Sequence, residues 1–136
     1  MKKMMLILTL LISTSAFAQE EEPRLQGLMA QMGGHSLIIL NGMFYDDFSV
    51  IEDSVAWINN HPKPKADFAI IKKELGAEIK LFKEIDDAAH NAANAIGVAA
   101  QEQDMLEVSK QYGVMVQSCT QCHETFRERL RAVLHP

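Results

Sequence analysis

The stretch after Asp104 most constrains what this chain can fold into. No proline interrupts it before Pro136, and Met105, Val108, Tyr112, Met115, Cys119, Cys122, Phe126, Leu130 and Val133 recur at steps of three and four. That spacing describes one stripe along one long helix, with Asp104 placed to cap its start. A stripe of this kind is stable only when other helices cover it.

Inside the stripe lies Cys119-Thr120-Gln121-Cys122-His123. Two thiols three residues apart with a histidine directly after form the attachment signature of a c-type haem. Each sulfur would form a thioether to one vinyl group, and the imidazole of His123 would ligate the iron. On a helix the three positions are i, i+3 and i+4, so a single face carries all of them. Other uses of the motif fit less well. A thioredoxin-like centre wants a βαβ pattern around it, and none is visible. Zinc would need about four ligands, and the remaining histidines are scattered. A disulfide between i and i+3 of a helix is poorly placed. One motif predicts one haem.

The first residues predict export. Lys2 and Lys3 precede an almost wholly apolar run from Met4 to Ile12, and Ala16-Phe17-Ala18 offers a small-x-small cleavage site. The apolar run is too short to cross a bilayer, so residues 1–18 read as a cleaved secretory signal peptide. No cysteine lies near the cleavage site, which leaves a lipoprotein without support. The expected mature chain, residues 19–136, is one domain in a bacterial periplasm. Without Lys2 and Lys3 it has 11 basic against 18 acidic residues, a formal charge of −7. That balance disfavours nucleic acid and anionic lipid and favours a partner with a basic docking patch.

Three further helices precede the last. Leu25 to Phe44 carries Leu25, Leu28/Met29, Met32, Ser36, Ile39/Leu40 and Met43 on one side, and its interior Gly33-Gly34 suggests close approach of a helix or ligand. Tyr45-Asp46-Asp47 reads as a turn with a capping aspartate. Phe48 to Asn59 follows, with Phe48, Ile51, Val55 and Ile58 inward, and ends in a loop containing Pro62 and Pro64. A long third helix is expected from Lys65, through Phe68, Ile71, Leu75 and Ile79 to Ile96, with Gly97 as its stop. Short connections favour antiparallel neighbours, so the expected fold is all-α, an up-down-up-down four-helix bundle.

A haem motif late in a four-helix exported chain resembles the class II c-type cytochromes, the cytochrome c′ family. The likeness continues past the motif, since Cys119 to Arg127 matches the family's Cys-x-x-Cys-His-x-x-Phe/Tyr-Arg/Lys pattern. It implies one covalent haem c, with Arg127 near a propionate and Phe126 packed in the core or against the haem. Gln26 falls where relatives often have a polar residue near a propionate. The segment Leu28 to His35 resembles the low-spin subgroup, whose distal methionine lies six residues before a polar position; this makes Met29 the candidate sixth ligand, with Met32 next. Met43 and Met115 read as core. The connection between the second and third helices is shorter here than in many relatives. His35 lies about 240° round the first helix from Met29 and is expected at the surface or an interface. His61, in the proline loop, His90 and His135 are not expected to ligate the iron.

The resemblance and the ligand set together imply an electron carrier, not an enzyme. With His123 and Met29 both bound the iron has no open position, and a thioether ligand favours the ferrous state. The alternative is a five-coordinate protein that binds nitric oxide or carbon monoxide in an apolar pocket of Leu25, Leu28 and Met32. A peroxidase lacks a distal His/Arg pair. Relatives often pair through their first two helices, and the Gly33-Gly34 step would permit such a homodimer.

Overall fold

The computed structural model describes residues 24–135, so the expected leader at residues 1–18 lies outside the described part. Its elements are α1 (Leu25–Tyr45), α2 (Phe48–Asn60), α3 (Lys65–Leu75), a 3₁₀ turn (Gly76–Glu78), α4 (Ile79–Gln101) and α5 (Met105–Leu134). The described residues contain no strand. The fold is the expected antiparallel four-helix bundle, with its third rod divided into α3 and α4.

Local chemistry accounts for the turns. Asp46 adopts a left-handed conformation (φ 52°) that ends α1, and Asp47 N–H donates to the Gly42 carbonyl at 3.0 Å. The Asp47 carboxylate then caps α2 by accepting from Val50 N at 3.3 Å and from Ser49 Oγ at 2.7 Å. Asp104 caps α5 in the same way, accepting from Glu107 N at 3.0 Å. In each case a short carboxylate satisfies an amide that the first helical turn leaves unpaired.

Two sequence expectations need correction in the third rod. It does not run unbroken, because Gly76 takes φ +51° and ψ −118°, a conformation that side-chain-bearing residues rarely adopt. The bend lets Ile71 and Leu75 of α3 join Phe126, Leu130 and Leu134 of α5 in one cluster. Gly97 does not stop α4, which continues to Gln101. A Cβ there would meet Val55 Cγ1 at 3.1 Å, so this glycine serves the close α2–α4 packing.

At the glycine pair of α1, the described residues bear only on the approach of another helix, and none comes close. Apart from the neighbouring backbone of α1 itself, no described atom lies within 4 Å of a Cβ built at Gly33 or Gly34, so no other helix among the described residues packs closely on them. Close approach occurs instead at Gly42, where a Cβ would stand 2.6 Å from Ile51 Cγ1 and 3.0 Å from the Asp47 carbonyl.

The core falls into two clusters. The larger joins α1, α2, α4 and α5 through Ile39, Ile51, Val55, Ile96, Val108 and Met115, with small Ala92, Ala93, Ala99 and Ala100 letting the helices close up. The smaller holds the α3 end of the bundle around Phe126. Helix α5 packs most extensively on α4, while α1 packs mainly on α2 and touches α5 little.

Candidate haem site

The motif lies near the middle of α5, at the seam between the two clusters. Cys119 packs against the larger cluster and Cys122 against the smaller. Both thiols are free and half-buried. Burial raises both thiol pKa values, with the Asp86 carboxylate of α4 adding to the rise, and Cys122 is pushed up to about 11. A thioether sulfur carries no charge in either redox state, so an environment that resists thiolate suits the attached form.

His123 is half-buried on the same side of α5. Burial holds its pKa below the usual imidazole value, and the Arg127 guanidinium lowers it further. The neutral ring is therefore favoured, which is the form that binds a metal. Arg127 Nη2 donates to His123 Nδ1 at 2.9 Å. A ring that accepts at Nδ1 carries its proton on Nε2, whereas a ring that ligates through Nε2 carries it on Nδ1. Arg127 and a metal thus require opposite tautomers of His123. A ring ligating through Nε2 would not accept from Arg127, whose guanidinium would then be available to an anionic group. The two side chains, with Thr120, Glu124 and Glu128, line an open groove of about 390 Å³.

The other candidates are placed as follows. Phe126 is only 1% exposed and meets the Phe82 ring edge-on, with centroids 5.6 Å apart. Gln26 is exposed on the first turn of α1. Met32 packs against the cluster that includes Cys119. Met29 is 38% exposed. It shares a helix face with Ser36, two turns on, and with Leu25, one turn back. Ser36 Oγ lies 3.1 Å from the Tyr112 hydroxyl of α5, and Leu25 packs against the cluster of Phe126 and Cys122. Met29 therefore shares its face of α1 with one residue, Ser36, that meets α5.

Two contacts that the sequence did not reveal hold that arrangement. Asp67 of α3, 2% exposed, accepts from Leu25 N at 2.7 Å and pairs with Arg24 Nε at 3.0 Å. Arg24 Nη2 also reaches the Leu134 carbonyl at 3.4 Å, which ties the start of α1 to the end of α5. The second is the Ser36–Tyr112 pair, for which helical spacing alone gives no partner. His35 does reach an interface, stacked on Trp57 of α2 with centroids 4.3 Å apart.

Two unpaired sulfurs and a neutral imidazole on one half-buried helix face, at a break in the core, fit a covalently attached haem. Cys119 and Cys122 would hold its edge and His123 its iron. Among the described residues no helix is long and apolar enough to cross a membrane. Searches of curated proteins and of solved structures gave no match. The family model described as Cytochrome C′ matches residues 61–127, from the proline loop through the whole attachment motif to Arg127. With that match over a four-helix bundle bearing this motif on its last helix, the chain belongs to the cytochrome c′ family, whose members bind one covalently attached haem c.

Proposed function

We propose that this chain is a periplasmic electron carrier whose iron is ligated by His123 and Met29, and that it catalyses no reaction of its own. A haem held by imidazole and thioether exchanges single electrons without opening a coordination position. The observation that supports the reading is helical register: Met29 shares a face of α1 with Ser36, whose hydroxyl meets that of Tyr112 on α5. Met32 on the next turn is engaged in core packing, where a flexible thioether fills irregular space. Leu28, 4% exposed, is buried and offers no donor atom. The predicted leader and the acidic balance of the chain support export and a partner with a basic docking patch.

The test is the absorption spectrum of the haem-loaded protein, ferric and ferrous, with and without carbon monoxide. The expected result is a low-spin spectrum that carbon monoxide leaves unchanged, with Met29→Ala becoming high-spin and binding the gas. Conversion by Met32→Ala instead would move the ligand one turn. A wild-type spectrum that is high-spin and shifts on adding carbon monoxide would overturn the carrier reading in favour of nitric oxide or carbon monoxide binding.

Pairing of two copies through α1 belongs to the same proposal. From Leu25 to Tyr45 the helix has no Asp, Glu, Lys or Arg, and Leu37, Phe44 and Tyr45 are 65%, 76% and 77% exposed. An uncharged helix with so large an apolar outer face is better covered than bare. Sedimentation equilibrium should give a dimer that Leu37→Glu dissociates, and a wild-type monomer at high concentration refutes pairing.

A further inference from the structure

The charge of Asp86 on α4 reaches both attachment sulfurs, since it helps to raise the Cys119 and Cys122 pKa values. A negative charge therefore stands beside the turn that would hold the haem edge. One electron entering a haem makes its surroundings one unit more negative, and a nearby group that can bind a proton then binds it more readily. Asp86 has such a group as its neighbour.

His90, one turn further along α4, places Nε2 3.9 Å from Asp86 Oδ1. Its other nitrogen, Nδ1, is 3.2 Å from Asn59 Oδ1. The Asn59 amide is oriented by its Nδ2, which donates to Asn94 Oδ1 at 2.8 Å. A carbonyl oxygen only accepts, so the neutral ring keeps its proton on Nδ1 and leaves Nε2 as a bare lone pair. The next proton must bind at Nε2, the nitrogen beside the carboxylate. The ring is 23% exposed, so water can deliver that proton.

The groups around the ring come from three elements. Helix α4 brings Asp86 and, three residues before His90, Asp87. Helix α2 brings the neutral Asn59 and leads to His61, whose ring centroid is 5.3 Å from that of His90. Helix α5 brings Cys119 and Cys122 toward Asp86, and attachment removes their ionisable protons. Histidine is the side chain whose charge ordinarily changes between about pH 5 and 8. With Nε2 bare, the Asp86–His90 pair carries one negative charge; with Nε2 protonated it carries none.

We propose that the Asp86–His90 pair couples proton binding to the oxidation state of the haem. When one electron arrives from a donor protein, His90 takes a proton from solvent and an N–H bond forms at Nε2. When the electron leaves for an acceptor, that bond breaks and the proton returns to water. The ferrous protein holds the proton to higher pH than the ferric one, so the reduction potential falls as pH rises through the interval between them. This deepens the electron-carrier reading without depending on Met29: a high-spin spectrum would overturn that reading and leave the comparison below unchanged.

The test follows the imidazole C–H proton resonances of the full haem-loaded protein against pH, ferric and ferrous, with His90 assigned by the signal that His90→Gln removes. Reduction potentials are measured over the same range. The expected result is a His90 titration at higher pH in the ferrous protein, with proton affinity differing by about twofold or more, the effect that unit charges ~10 Å apart have on each other even through water. Twofold corresponds to a fall in potential of about 18 mV across the interval, at about 59 mV per tenfold for one electron. His90→Gln holds the pair at one negative charge, so its potential should rise less on acidification than that of the wild type. Asp86→Asn should raise the potential across the whole range, and His61→Gln should keep the wild-type dependence. Coincident His90 titrations in the two oxidation states, or a His90→Gln potential that follows the wild-type rise in full, would each overturn the proposal. Loss of the dependence in His61→Gln with His90→Gln unaffected would overturn it too.

Discussion

Removing the Asp67 carboxylate should loosen the start of α1 more than any other single polar change in this bundle. Asp67 is 2% exposed and accepts from both Leu25 N, at 2.7 Å, and Arg24 Nε, at 3.0 Å. A hydrogen bond to a charged acceptor contributes roughly 1.5–3 kcal/mol. The Arg24 pair adds less, since the guanidinium is 58% exposed and water competes for it. Asp67→Ala should therefore cost about 2–3 kcal/mol. Arg24→Ala should cost a comparable amount for a different reason, because it leaves a buried carboxylate with one donor fewer. The two changes share one interaction, so the double variant should fall short of their sum by about 1 kcal/mol. The assay is urea unfolding of the haem-loaded protein, followed by helical circular dichroism, for all four members of the cycle. On the proposed Met29 ligation, the same variants should also gain a high-spin fraction in the absorption spectrum, since Met29 lies only one turn beyond Leu25. A cost below about 0.5 kcal/mol for Asp67→Ala, within the ordinary range of surface changes, would refute the clamp, as would strict additivity.

Other consequences are more local. Gly42→Ala should destabilise by about 1–3 kcal/mol through overpacking against Ile51, whereas Gly33→Ala and Gly34→Ala should each stabilise the monomer by roughly 0.5–1 kcal/mol; thermal melts give the signs. The Asp47 pKa is lowered by its Ser49 and Val50 hydrogen bonds. A lowered folded-state value means stability present above the ordinary carboxylate pKa and lost as pH falls through the folded one, so wild type should lose stability relative to Asp47→Asn on acidification from pH ~5 to ~3. Unfolding curves at the two pH values check it, and a pH-independent difference refutes it. Finally, Cys119→Ser/Cys122→Ser, which cannot attach haem, should keep its helices but exchange amide hydrogens fastest between Leu25 and Met32, with Ala92 to Ala100 still protected; uniform exchange would contradict this.

Much of the fold and the centre of the site were legible in the sequence, and the reasons differ by residue. The Cys119–His123 spacing carries its chemistry in covalent geometry, so no packing information is needed to read it. Asp47 and Asp104 announce the helix starts because a cap acts within three residues. The break at Gly76 is not legible in the sequence, because one glycine inside an apolar register is usually tolerated, at about 1 kcal/mol. Whether it bends depends on what the following turn must cover. Among the described residues no other helix packs on Gly33-Gly34, whereas one does on Gly42, at the end of the same helix. The difference lies in the path of α2, which the sequence of α1 does not contain. Asp67–Arg24 and Ser36–Tyr112 join residues 43 and 76 positions apart, and periodicity says which face a residue occupies but not what stands opposite.

The weak contact between α1 and α5 has a direct reading in this light. Four packed helices would ordinarily share one continuous core. Here the core divides where Cys119 and Cys122 enter it, and α1 is held to α5 at its first turn and again at Ser36. Leucine or isoleucine along the intervening face of both helices would gain stability at roughly 25 cal/mol per Å² of apolar area buried. The chain instead places a half-exposed methionine on one side and a half-buried cysteine–histidine turn on the other. A covalently held planar group would require this of a bundle: room along one seam, with the flanking helices tied together at both ends of it.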